Sequence, residues 1–260
     1  MAISAHRSTS TMRNPGLIKE ARSAGEDNLG WLKRVARPSA RNKKRSWVLL
    51  IGGADPLSVR LRMAQSHMRA DLTPSAWSDV VLVGDLARDI GQTSTYGVSL
   101  APTTWYPPSG FAPLSNAVQQ GTLQSFADTR RNPNIALLAL PVPTAGLLDA
   151  VHRLEHERLG LDLSALLLRW LQFGWAAGNP GNPLHEGFGF ASAALLESVY
   201  AYNDFDLTPG IESRASCPEA IWQSASWWHD YYASQKCEVT GAYCQGHQLV
   251  DDMVPTATTS

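Results

Sequence analysis

Up to Leu140 the apolar residues of this chain come mostly as short unbroken runs, and beyond it they recur at helical spacing. Trp47–Ile51 is a continuous apolar run stopped by Gly52-Gly53, which predicts a buried strand. Val80–Val83, closed by Gly84, predicts a second strand, with Tyr96–Leu100 beside it as a third. Ile135–Leu140, bracketed by Asn132-Pro133 and Pro141, predicts a fourth. Between the first two, Asp55-Pro56 has the chemistry of a helix start, Asp as N-cap and Pro at the first helical position. Leu57, Leu61, Ala64 and Met68 form the inward stripe of that helix, and Arg60, Arg62 and Arg69 lie off it. A short helix is expected to carry Val118, Leu123 and Phe126 inward. The irregular stretch 102–115, rich in Pro, Ser and Gly and containing Trp105 and Tyr106, has the character of a functional loop.

The second half predicts helices over Leu147–Leu159, Leu163–Trp175, Ala191–Tyr202 and Ser216–Tyr232. Residues Leu163–Trp175 are apolar on nearly every side, which predicts a deeply buried helix. Asn179-Pro180-Gly181-Asn182-Pro183 and Thr208-Pro209-Gly210 are the breaks between helices. The expected division is a basic N-terminal extension over residues 1–45, a body over 46–235 and a C-terminal tail over 236–260. One short helix around Leu17–Val35 is expected to dock on the body through Leu17, Trp31, Leu32 and Val35. The fold class is α+β, with a small, mostly antiparallel sheet packed with helices.

Composition adds three constraints. Apolar residues are 44% of the 260, enough for a sizeable core, and charged residues are 17%, below the ~25% usual for soluble domains. No run approaches the ~18 uninterrupted apolar residues of a membrane span, and Met1–Asn14 lacks the apolar segment of a secretory signal. Three Cys are too few for a disulfide scaffold, so a reducing, cytoplasmic setting is expected. The net charge of −1 conceals an asymmetry, because residues 1–45 hold eleven Lys/Arg against three Asp/Glu. A basic extension on an acidic body predicts an anionic contact, either the protein's own body or a protein partner with an acidic surface, the bland reading being a solvated tail. Nucleic acid is not expected, since no recognised binding module accompanies the Arg41, Lys43, Lys44, Arg45 cluster.

The leading candidate for chemistry is Cys217. Ser216-Cys217-Pro218-Glu219 has the spacing of a capping box, with Ser216 as N-cap and Cys217 as the first helical residue. A thiol there meets unpaired N–H groups and the positive end of the helix dipole, which favour thiolate. The bland reading is a small buried residue filling space beside Trp222.

Taken in order, the strands, the helix between them and the late Cys-led helix resemble the circularly permuted branch of the NlpC/P60-like, papain-fold superfamily. Cys217-Pro218-Glu219-Ala220-Ile221 resembles its nucleophile motif, and Ser78-Asp79-Val80-Val81-Leu82 resembles its first sheet motif. The resemblance covers roughly residues 46–232 and implies a papain-like arrangement in which those two motifs meet face to face. Where the family places its catalytic His, this chain has Asp79, and the residue offered to orient that His is Ser99. A carboxylate is a poor base for a thiol, because its pKa normally lies near ~3.9. His67, just before the Asp79 strand, is the remaining candidate base.

Other constellations are weaker. His229 lies twelve residues beyond Cys217, about 18 Å along a helix, too far to pair with it. His152 and His156, with Glu155 and Glu157 beside them, read as a solvated helix face. His185, next to Glu186, reads as a satisfied loop residue. Cys237, Cys244 and His247 lack the compact spacing of a structural zinc site. Gly52-Gly53 lacks the Lys of a phosphate loop, and no Gly-x-Ser-x-Gly elbow occurs. No cofactor or metal is expected. Two functions follow: a non-catalytic papain-fold module for binding or assembly, or a cysteine-dependent amide or ester hydrolase or acyltransferase using Cys217.

Overall fold

The computed structural model describes residues 17–36, 44–100, 116–157, 161–233 and 239–249, with the side chains of 229–233 excepted. They form an α+β fold around one seven-stranded sheet. In chain order the strands are β1 (Leu17–Lys19), β2 (Ser46–Gly52), β3 (Asp79–Val83), β4 (Ser94–Gly97), β5 (Gln119–Thr122), β6 (Asn134–Leu140) and β7 (Thr240–Gln245). Their order across the sheet is β1-β7-β6-β2-β3-β4-β5, with β1 parallel to β7 and every other pair antiparallel. The helices are α1 (Asn28–Ala36), α2 (Pro56–Ala64), α3 (Thr144–His156), α4 (Leu163–Gly174), α5 (Ala191–Ala201) and α6 (Pro218–Ala233).

The unbroken apolar runs are explained by burial on both faces. Every residue of β2 and of β6 is buried, so neither strand has a polar side to alternate with. One face, with Val48, Leu50, Val80, Leu82, Ala136 and Leu138, packs on α3 to α6. The other, with Trp47, Leu49, Ile51, Val81, Val83, Ile135 and Leu137, is covered by Trp31, Leu32 and Ala36 of α1.

That second face corrects the division expected at residue 46. Trp31 and Leu32 are fully buried, and the Asn28 side chain donates to the carbonyls of Phe126 and Asn132. The stretch 17–36 therefore contributes to the core through Leu17, Trp31, Leu32 and Ala36, with Leu17 placed in a strand and not in the expected helix. Of the expected tail, Thr240–Gln245 is likewise built in, as β7 between β6 and β1. The sheet is also larger than expected, the four anticipated strands being joined by β1, β5 and β7.

Two local expectations change as well. The segment around Val118–Phe126 forms β5 followed by a 3-10 turn at Leu123–Phe126, not a helix. Helix α4 buries only Leu163, Leu166, Trp170 and Phe173, leaving Leu168 65% and Trp175 64% exposed. The surrounded helix is α5, which lies over β3 and whose Ala191, Ala193 and Ala194 let it approach the sheet closely. The start of α2 follows the sequence signal: Asp55 accepts from the Ser58 N–H at 3.0 Å, and Pro56 opens the helix. The functional loop anticipated at 102–115 lies outside the described residues.

Candidate functional site

Helix α6 begins one residue later than its capping box implies, and its start is satisfied differently. Cys217 itself occupies the N-cap position, its carbonyl accepting from Ile221 N–H at 3.1 Å. Its sulfur accepts from the N–H groups of Glu219 and Ala220. Ser216 turns the other way and donates from Oγ to Glu197 at 2.8 Å. The Glu219 N–H also meets the Gln65 Oε1 at 2.8 Å, and the Glu219 carboxylate takes Ser75 Oγ at 2.6 Å and Arg69 at 3.2 Å. Gln65 in turn donates to the carbonyls of Leu61 and Trp77, so the start of α6 is fastened to the end of α2.

This environment does not activate the thiol. Cys217 is fully buried, and burial pushes its pKa up to about 12 despite the two N–H donors. The carboxylates of Glu219 and Glu197 act in the same direction. The helix-terminus effect is worth only about 0.3–1 kcal/mol at exposed sites and is outweighed by desolvation here.

Asp79 stands elsewhere, at the first position of β3. Its carboxylate accepts from its neighbour's Val80 N–H at 2.8 Å and from the hydroxyls of Ser192 and Ser99. The residue is partly exposed, but the carboxylate itself is enclosed, and desolvation raises its pKa to about 6 against the pull of those donors. Ser192 lies in the first turn of α5 and is 2% exposed. The helix whose opening turn meets Asp79 is therefore α5, and the residues at that opening are Ala191 and Ser192. Sequence reasoning missed this pairing, because the alanine-rich start of α5 has no chemical signature beyond one Ser.

His67 belongs to a third place. It sits in the 3-10 turn Ser66–Met68, edge-on to His185 at 4.6 Å between ring centres. Burial and the neighbouring His185 lower its pKa. Cys217, Asp79 and His67 thus each have partners of their own, and the expected face-to-face meeting of the Cys217 and Asp79 motifs does not occur, because the start of α5 and not that of α6 packs against β3.

Beside Cys217 lies a group that sequence reasoning also missed. Glu197 of α5 is 3% exposed and accepts from the hydroxyls of Ser216 and Thr208. Desolvation raises its pKa to about 7, with the charge of Asp206 adding to the rise. A Glu within a nearly continuous apolar helix was the available signal.

The tail motif has a structural explanation. His247 is held by the buried Arg62, through Nδ1 and through its carbonyl, both at 3.0 Å, while Arg62 Nε donates to Ser75 O at 2.8 Å. Cys244 is buried in β7, and Cys237 lies outside the described residues. Among the described residues no group of three or more His, Cys, Asp or Glu is arranged to hold a metal ion. No helix there is long and apolar enough to cross a membrane. Comparisons with protein-family models, with curated proteins and with solved structures returned no match.

Proposed function

We propose that this chain is a papain-fold module, resembling the permuted NlpC/P60 branch, that serves binding or assembly and has no working thiol-imidazole pair. The observation that carries this reading is the placement of Asp79. In the sequence it takes the position that the resemblance gives to the catalytic imidazole, and its carboxylate is occupied by Ser192, at the start of α5, and by Ser99. A thiol enzyme needs a thiolate near neutral pH and a base to move protons to the leaving group. Cys217 has its thiol sealed in the core, and Asp79 meets a serine instead.

The partner expected is a protein with an acidic surface, drawn to the basic first 45 residues. Within the described part of that stretch, Arg22, Arg34 and Arg45 are engaged with the body or with neighbouring carboxylates. Lys19 and Lys33 stand exposed beside them. The alternative, a hydrolase or acyltransferase using Cys217, is favoured by the two N–H groups that point at its sulfur, which stabilise thiolate.

An acyl-transfer assay separates the two. The native chain, C217A and S192A are mixed with p-nitrophenyl acetate at pH 7.5, and the release of nitrophenolate is followed from the first seconds. The binding-module reading predicts no burst in any of them. A stoichiometric burst removed by C217A establishes the thiol enzyme, and one removed by S192A establishes a serine nucleophile beside Asp79.

A further inference from the structure

His67 and His185 come from separate 3-10 turns, Ser66–Met68 and Pro183–Glu186, that the fold clamps together. The clamp is Asn182, whose Nδ2 donates to the Ala64 carbonyl at 2.7 Å, while its own Oδ1 caps Leu184 N–H at 3.1 Å. Two imidazoles sharing one tetrahedral ion, at ~2.0–2.1 Å for each metal–nitrogen bond, hold their ring centres about 5 Å apart. Here the centres are 4.6 Å apart and the planes are inclined by 72°.

We propose that His67 and His185 form a two-imidazole site for a borderline divalent cation of the Zn²⁺ or Ni²⁺ class, with water completing the coordination. Both residues are exposed, so the remaining positions face solvent. Imidazole is the ligand type that suits Zn, Ni and Cu over Mg or Ca. The next carboxylate in the chain, Glu186, is 3.5 Å from Arg169. The bound ion would pin the Pro183–Glu186 turn to the end of α2, where α6 is also fastened.

Other histidines are arranged differently. His156 turns Nδ1 back onto the His152 carbonyl at 2.8 Å, His152 leans toward Glu155 at 3.7 Å, and His247 is held by Arg62. The test is titration calorimetry of the tag-free full chain with ZnCl2 and with NiCl2, beside H67A, H185A and H152A. Expected are one leading site per chain, at least tenfold weaker in H67A and in H185A and unchanged in H152A, and a metal-dependent rise in Tm lost in the same two variants. Because both side chains are exposed, the metal-free Tm of each variant should stay near that of the parent. Equal binding in all four chains, or a loss confined to H152A, overturns the proposal.

Discussion

Replacing Glu197 by Gln should change how stability depends on pH, and the size of the change follows from its surroundings. The side chain is 3% exposed, accepts two hydroxyl hydrogen bonds and lies near Asp206. Burial raises its pKa from the ordinary 4.5 to about 7. In the unfolded chain the proton is lost near 4.5, while the folded chain keeps it until about 7. Over that window the native state binds more protons, so stability falls as pH rises and levels off above about 7. At 1.36 kcal/mol for each pKa unit, the loss across the window is about 3 kcal/mol. Against a total of about 5–15 kcal/mol, this is large enough to measure. In E197Q the amide oxygen still accepts from Ser216 and Thr208 but nothing ionises. Urea unfolding followed by Trp fluorescence at pH 5, 6.5 and 8 should show E197Q near the parent at pH 5. At pH 8 it should be more stable than the parent by about 3 kcal/mol. Asp79 works in the same direction and His67 in the opposite one, but both are common to the two proteins and cancel in the difference. Parallel stability–pH profiles for parent and variant would refute the reasoning.

Trp31→Ala should cost about 3–5 kcal/mol in urea unfolding, because it empties the side of the sheet that the N-terminal segment covers. An effect within ±0.5 kcal/mol, typical of a surface site, would return residues 17–36 to the status of an appendage. Gly189→Ala should lower stability by about 1–3 kcal/mol or prevent folding, since an added methyl collides with the Ser216 carbonyl oxygen where the two segments run side by side. The measurement is the urea midpoint, and an unchanged midpoint would contradict the close approach.

How much of this was legible in the sequence depends on the length scale of each signal. The strands at Trp47, Val80 and Ile135 announced themselves, because burial on both faces removes every polar residue from a run. The helix start at Asp55-Pro56 was legible because capping is local chemistry. The docking of Trp31 and Leu32 was legible as a small apolar cluster in a polar, basic segment, whereas the strand at Leu17–Lys19 was not, because its partner β7 lies far away in sequence. The Ser216–Glu219 spacing was real but its partners were not local: Gln65 caps Glu219, and Glu197 takes Ser216. Arg62 lay off the helix's apolar stripe and so read as solvent-facing, yet it is 1% exposed because four polar contacts accompany it inward. In the candidate site Asp79 could be picked out, whereas its partner could not. Which helix opens opposite a strand is settled by tertiary packing, and Ser192 carries no motif.

The central claim is that Cys217 is a structural thiol, and its reactivity tests this most directly. The native chain is treated with iodoacetamide across pH 6 to 9, and the extent of labelling of the Cys217 peptide is followed by mass spectrometry beside a urea-unfolded control. Sealed in the core with its pKa near 12, the thiol should be labelled in the native chain only by way of unfolding, far more slowly than in urea. Prompt native labelling with an apparent pKa below about 6.5, well under the ~8.5 of an ordinary thiol, would contradict the account and restore the thiol enzyme.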